Sequence, residues 1–322
     1  MKSRREFLGN GAGVAAIGAG AMLAGERTAY AVTPSNYPFY NVKDFGAVGD
    51  HTTDDTTSIQ NAVNTAATTG GVVYFPPGSY VISSTINMLN WVALKGEGRA
   101  SKIIASSSFS QQQMFYAANG TSSMFYSRLD DLWIHANDVA AILYVVQAVA
   151  WQESSGANRL VVTNFRNTGI LLSNGYGGAS WTRLSEVEVF GSPLGSEYGI
   201  LCTPMGAVGA FMLSVSGVSI AGASATMPLS SAILIEGNSL VADTVHFENC
   251  SNGIQITGIG NANIRSVTGS FEAVGNVVVL ASNFSGSAVL QTINPNGASC
   301  AYLNNKTGAT STTTVAHLVV QQ

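Results

Sequence analysis

The 322-residue chain carries 10% charged and 46% hydrophobic side chains, with 35 glycines and a formal charge of -4. So little charge excludes a helical protein with broad solvated faces and points to a structure that hides apolar side chains repeatedly, as a stack of strands does. The acidic balance disfavours nucleic acid as a partner, and an anionic glycan would need local basic residues or a bound cation to be held.

At the N-terminus, Ser3-Arg4-Arg5-Glu6-Phe7-Leu8 precedes an apolar Gly/Ala-rich run from Gly9 to Gly25 and then Ala29-Tyr30-Ala31. The pattern predicts a twin-arginine signal peptide over residues 1–31, because the apolar run is too short and Gly-rich for the roughly 20 residues of a membrane span. The mature protein is then expected in the periplasm or outside the cell, without a membrane span. Removing residues 1–31 takes away four bases and two acids and leaves a charge of about -6. That export route carries folded cargo, so disulfides are not expected. Cys202, Cys250 and Cys300 are odd in number and widely spaced, which predicts buried small hydrophobes rather than a framework or a paired-Cys metal motif.

Residues 32–322 read as a single domain. Thr53 or Asp54 can accept hydrogen bonds from the first turn of a helix in which Ile59, Ala62, Val63 and Ala66 share a face, and Gly70-Gly71 ends it. Val72-Val73-Tyr74-Phe75 and Tyr80-Val81-Ile82 follow as strands around a Pro76-Pro77-Gly78 turn, with Val92-Ala93-Leu94 before Gly96-Glu97-Gly98. The helix is placed to cap the open end of the stack that follows.

The series NVKDFGAVGD, TDDTTSIQNAV, GGVVYFPPGSYVIS and VALKGEG, between Tyr40 and Ile104, resembles the opening of the pectate-lyase-like superfamily. That group includes rhamnogalacturonases, epimerase-like proteins and phage tailspikes. The resemblance implies an all-β, right-handed, single-stranded parallel β-helix with a short N-terminal capping helix. It does not imply one reaction, because enzymes of different chemistry and non-catalytic shafts share the opening. A homotrimer, as in tailspikes, is the assembly the shaft reading implies.

The rest of the chain supports a solenoid independently. Leu132-Trp133-Ile134, Leu160-Val161-Val162, Val187-Glu188-Val189, Val218-Ser219-Ile220, Val245-His246-Phe247 and Val267-Thr268-Gly269 align as short strands. Their starts lie about 22 to 31 residues apart, a coil length suited to three strands per turn. Gly169-Ile170-Leu171-Leu172, Gly199-Ile200-Leu201-Cys202, Ala232-Ile233-Leu234-Ile235 and Gly253-Ile254-Gln255-Ile256 fit between them. Hairpin signals at the spacing of a β-sandwich do not recur. Residues 40–104 thus form the cap and first coils, 105–293 the central coils, and 294–322 a terminal coil or hairpin, the latter using Asn304-Asn305-Lys306 and Ala316–Val320.

This register places three outward lines on the surface. Asp131, Arg159 and Glu186 alternate in sign and read as a charge ladder. The second line holds Trp133, Val161, Glu188, Ser219 and His246, and the third His135, Thr163, Phe190, Ala221, Glu248 and Ser270. A slip of one residue would turn Glu188 and His246 into the core at high cost. Glycoside hydrolysis needs two carboxyls flanking the scissile bond, and Glu186 and Glu188, two apart on one strand, would stand about 6.5 to 7 Å apart. His246 and Glu248 are expected to assist them. Trp133, His135, Arg159 and Phe190 are the expected substrate-binding residues. The Gly-His-Gly and Arg-Ile-Lys elements of polygalacturonase-type relatives are missing, and Asp130-Asp131 is the only paired Asp of the coils. Arg159, Arg166 and Arg183 are candidate bases for a lyase, but carboxylates around them are too sparse for calcium. The sequence therefore predicts a polysaccharide partner with no metal or cofactor, and leaves open a hydrolase, a non-catalytic glycan-binding shaft and a lyase.

Overall fold

The computed structural model describes residues 38–118, 122–149, 151–174, 180–204, 211–269, 273–295, 301–305 and 314–315. The chain divides into residues 1–35 and Asn36–Gln322, and every described residue lies in the second unit. The expected signal segment, Cys300, Ser270 and the 316–320 part of the terminal hairpin lie outside the described residues.

The chain winds as a parallel β-solenoid. Each turn visits three ladders in the same order, and the ladder strands all pair in parallel, a connection that is right-handed in nearly all known cases. The first ladder stacks Phe39–Asn41, Gly71–Tyr74, Val92–Lys95, Arg128–Asp130, Gly156–Asn158 and Ser180–Ser185. The second stacks Asp50–Asp54, Gly78–Ile82, Ser101–Ala105, Trp133–His135, Val161–Phe165 and Glu188–Gly191. From Phe211–Ala221 onward the two ladders run through one continuous strand, repeated in Ser239–Glu248, Ile259–Gly269 and Ser285–Pro295. The third ladder runs from Ile86–Met88 through Gln113–Ala117, Tyr144–Ala148, Thr168–Asn174, Tyr198–Pro204, Leu229–Glu236, Cys250–Thr257 and Val274–Leu280 to Ala301–Asn305. Ala301–Asn305 and Thr314–Val315 thus continue the parallel stack, so the described part of the C-terminal region is coil rather than hairpin.

The aligned triplets take the register expected of them. Trp133 pairs with Val161, Val161 with Glu188, Glu188 with Ser219, and Ser219 with His246. Their outer members point inward: Leu132, Ile134, Leu160, Val162, Val187, Val189, Ile220, Val245 and Phe247 have no exposed surface. In the third ladder Ile170, Ile200, Ile233 and Ile254 form one continuous inner line. No coil buries enough alone, so each aliphatic rung gains its burial from the rungs above and below. Cys202 and Cys250 are both buried, and burial raises the Cys202 thiol.

The helix, Thr56–Ala66, occupies in the first coil the place that later coils give to the third ladder. Its Ile59, Ala62, Val63 and Ala66 are fully buried against the end of the stack. Of the two expected capping residues, Asp54 accepts the Thr56 amide at 3.0 Å, whereas the Thr53 hydroxyl donates to Asp50. Asp55, fully buried, instead turns back to accept the amides of Val48 (2.6 Å) and Gly49 (3.0 Å), closing the preceding loop onto the helix start. Burial raises its carboxyl, against the pull of those two amides.

A left-handed residue turns the chain from the first ladder into the second: Asp131, Arg159, Glu186, Gly217 and Thr244, with φ between 49° and 64°. The bends are themselves bonded rung to rung. The Asp131 amide donates to the Asn158 carbonyl at 3.0 Å, that of Arg159 to Ser185 at 3.0 Å and that of Glu186 to Ser216 at 2.8 Å. Left-handed backbone costs a side-chain-bearing residue roughly 1–2 kcal/mol, and only Gly217 avoids it. Thr244→Gly is therefore expected to raise the thermal midpoint, by roughly 1 kcal/mol of stability, and Gly217→Val to lower it by at least as much. Parallel melts of the two variants would check this, since both occupy the same bend one coil apart.

Candidate functional site

The outer face of the second ladder carries most of the residues singled out in the sequence. Lys102, Trp133, Val161, Glu188, Ser219 and His246 follow one line, and Ile104, His135, Thr163, Phe190, Ala221 and Glu248 the next. Neighbouring positions on a line are about 4.8 Å apart, so Trp133 and His246 stand about 19 Å apart along the axis. Trp133, His135, Glu188, Phe190, His246 and Glu248 are all half-buried.

At one end the Thr163 hydroxyl joins two rings. Trp133 Nε1 donates to its Oγ1 at 2.9 Å, and His135 Nδ1 lies 2.8 Å from the same oxygen. With the indole filling an acceptor position, the hydroxyl proton is free to point at Nδ1 of a neutral imidazole. Burial, aided by the Lys102 charge, pushes the His135 pKa down to about 4, with Asp138 acting in the opposite sense. Lys102 Nζ lies 4.0 Å from the centre of the Trp133 ring, and Arg99 Cζ lies 5.7 Å from it. Arg99 then reaches Glu188, forming an ion pair through Oε2. At the other end His246 Nε2 and Glu248 Oε1 are 2.9 Å apart.

The expected line of alternating charge is the row of left-handed bends. Arg159 grips Asp131 with both ends of its guanidinium, at 2.5 and 2.8 Å, and Lys95 adds a third contact at 2.6 Å. Asp131 is held at about pKa 2, first by Arg159 and then by Lys95 against the effect of burial. Arg159 is thus tied up in structure. Glu186 differs from its expected setting: it sits on the bend itself, at φ 54°, and the strand of Glu188 begins two residues later. The alternation that would bring Glu186 and Glu188 to a common face at strand spacing is interrupted at Glu186, which stands exposed beside the Arg159–Asp131 pair.

Sequence reasoning missed the outer face of the first ladder. There a groove of about 700 Å³ is lined by Arg128, Glu153, Trp181, Arg183, Met212 and Ser214, among others. Of these, the sequence pattern marks only Arg183. Each of these coils contributes a single inward apolar residue to the first ladder (Leu129, Ala157, Leu184; the second inward position beside Leu184 is the buried Thr182), so no apolar-x-apolar triplet marks it. Among the described residues, no three His, Cys, Asp or Glu side chains come together in a way that could hold a metal ion. No helix among them is long and apolar enough to cross a membrane.

The depressed His135 makes a testable statement about pH. Between its folded pKa of about 4 and the ordinary value of 6.5, the unfolded chain takes up a proton that the folded chain does not, so stability falls as pH drops through that window. His135→Gln is expected to flatten the melting midpoint between those two pH values. In the wild type, an imidazole NMR signal should stay in its neutral position down to about pH 4.

Comparison with known proteins adds three relationships. A 73-residue stretch, 20% of this chain, is 42% identical to the Mannuronan C5-epimerase AlgE6 of Azotobacter vinelandii. A 69-residue stretch, 18% of the chain, is 41% identical to a Probable glucan endo-1,3-beta-glucosidase of Arthroderma benhamiae. Each match spans only 8% of the relative's own length. Among solved structures, ORF18 of Geobacillus virus E2 superposes over 85% of this chain and 60% of its own, with a TM-score of 0.53 and 17% identity, a likeness of fold alone. The family model described as Rhamnogalacturonase A/epimerase, pectate lyase-like, matches residues 39–269, and with most of its solenoid inside that match the chain belongs to this family.

Proposed function

We propose that the protein acts on a polysaccharide laid across the outer face of the second ladder, with Glu188 and the His246–Glu248 pair supplying acid–base chemistry. The observation that carries this reading is the 2.9 Å contact between His246, on the outward line of Glu188, and Glu248 on the adjacent line. Trp133 and Phe190 offer flat apolar surfaces to sugar rings, and His135 and Thr163 offer hydrogen-bonding groups next to them. Glu188 and His246 stand two rungs apart, about 9.6 Å, and Glu248 one step across. Carboxyls extended from Glu188 and Glu248 can approach the 6.5–9.5 Å of an inverting pair more readily than the roughly 5 Å of a retaining one. In that arrangement one carboxyl protonates the leaving glycosidic oxygen while the other removes a proton from the attacking water. Arg99 holds Glu188 by Oε2, and the imidazole fixes Glu248. Glu186, exposed on its bend, is the alternative partner for Glu188.

A second reading, glycan binding without cleavage, is favoured by one observation: Glu188 and Asp131 are already engaged by Arg99, Arg159 and Lys95 within the protein. A lyase would turn to Arg183, since Arg159 is committed to Asp131. Export through the 1–31 segment and a trimeric assembly complete the proposal, and cell fractionation and light scattering of the purified protein address them directly.

Incubation with neutral and acidic polysaccharides, following reducing ends and unsaturated uronides, separates the three chemistries. New reducing ends that fall by roughly a hundredfold or more in both Glu188→Gln and Glu248→Gln, with melting unchanged, are the expected outcome. Full activity in either variant removes that residue from the chemistry. Unsaturated products would move the site to an arginine base, and saturable binding without products would leave the shaft reading.

A further inference from the structure

We propose that the groove on the first ladder is a second, non-catalytic saccharide site that holds a neutral glycan segment by stacking on Trp181. The site begins with a steric necessity. Arg128, Gly156 and Arg183 occupy successive rungs of the ladder. Gly156 has φ +147°, and a Cβ built there would lie 2.0 Å from the Arg183 carbonyl oxygen. The middle rung therefore has no side chain, and a slot opens between the Arg128 and Arg183 positions, whose backbones lie two rungs, about 9.6 Å, apart.

The walls of the slot carry what a sugar needs. Trp181 precedes Arg183 by two residues on the same strand, so both project from one face, and Trp181 is 57% exposed. An indole face left open to water beside polar groups is suited to the C–H face of a pyranose. Arg128 is held in place by Asp130, with both contacts at 3.0 Å, and reaches the Ser154 carbonyl at 3.4 Å. Arg183 makes no ion pair among the described residues, and neither does Glu153. Their donors and acceptors, with the Ser154 and Ser214 hydroxyls, remain available for sugar hydroxyls.

Charge selects the ligand class. Asp130 offsets Arg128, and Glu153 offsets Arg183, so the groove is close to neutral in a chain of charge -4. A polyanion would meet net repulsion on approach and no surplus of positive charge on arrival. A neutral chain meets neither obstacle, and its vicinal hydroxyls can bridge Arg183 and Glu153. The site shares no residue with the Glu188, His246 and Glu248 chemistry of the second ladder, and Arg183 would be common to both only in the lyase reading, which Trp181→Ala does not touch.

The test is titration of the purified full chain with cellopentaose, laminaripentaose and mannopentaose as neutral probes and an oligogalacturonate of equal length as the acidic one, following tryptophan fluorescence and binding heat. The expected result is saturable binding of at least one neutral probe that is insensitive to salt. Kd should rise at least about tenfold in Trp181→Ala, clearly in Arg183→Gln, and stay unchanged in Trp133→Ala. Both first-ladder side chains are exposed, so an unchanged melting midpoint separates lost binding from lost fold. Three results would overturn the proposal: no neutral probe binds, binding survives Trp181→Ala, or the oligogalacturonate binds more tightly with an affinity that collapses in salt. Activity retained in Trp181→Ala, or lost in Glu188→Gln, bears only on the second ladder.

Discussion

The hydrogen-bonded rung governs everything else in this molecule. Once a strand residue gives its amide to the coil on one side and its carbonyl to the other, its side chain is committed to a line that repeats about every 4.8 Å. Inside, a line must be filled by apolar side chains of compatible size, as Ile170, Ile200, Ile233 and Ile254 show. Outside, the same rule brings together residues that the sequence keeps far apart. Arg99 and Glu188 meet across 89 positions because three coils separate them in the chain and only a few rungs separate them in space.

That rule also explains what could be read from the residues alone. Triplets such as Leu132-Trp133-Ile134 and Val245-His246-Phe247 are legible because two inward residues flank one outward residue, and their lengths leave little freedom of alignment. The register of Trp133, Glu188 and His246 therefore follows from the sequence. The first ladder offers no such signal: around Ala157 and Leu184 a single apolar residue lies among Gly, Asn, Arg and Ser. Its groove was invisible for that reason. Glu186 shows another limit. Its spacing from Glu188 looks like strand alternation, and nothing in its chemistry announces a left-handed bend, a conformation more often given to Gly or Asn.

The charged groups are few and mostly spent on one another. Asp131 absorbs two cations, Asp130 a third, and Glu188 a fourth, Arg99, which reaches over Trp133. Such pairs at half-exposed positions stabilise modestly, but they fix where long side chains lie. On the second ladder this leaves His246 with Glu248 and a neutral His135 among aromatic neighbours. On the first it leaves Arg183 and Glu153 with their hydrogen-bonding capacity open. Two faces of one shaft thus differ in character although the same coils build both.

The tight corner between the first two ladders has a consequence for how such a protein can change over generations. From the Arg128–Asp130 coil onward, a one-residue left-handed turn, or an uninterrupted strand after Phe211, leaves no room for an inserted segment, whereas the first three coils carry longer connections there, with short 3-10 turns at Val42–Phe45 and Gly98–Ala100. In the later coils length variation is thereby channelled into the connections entering and leaving the third ladder. A descendant that acquires a new ligand must do so by exchanging side chains on the first two faces, or by growing loops at the borders of the third.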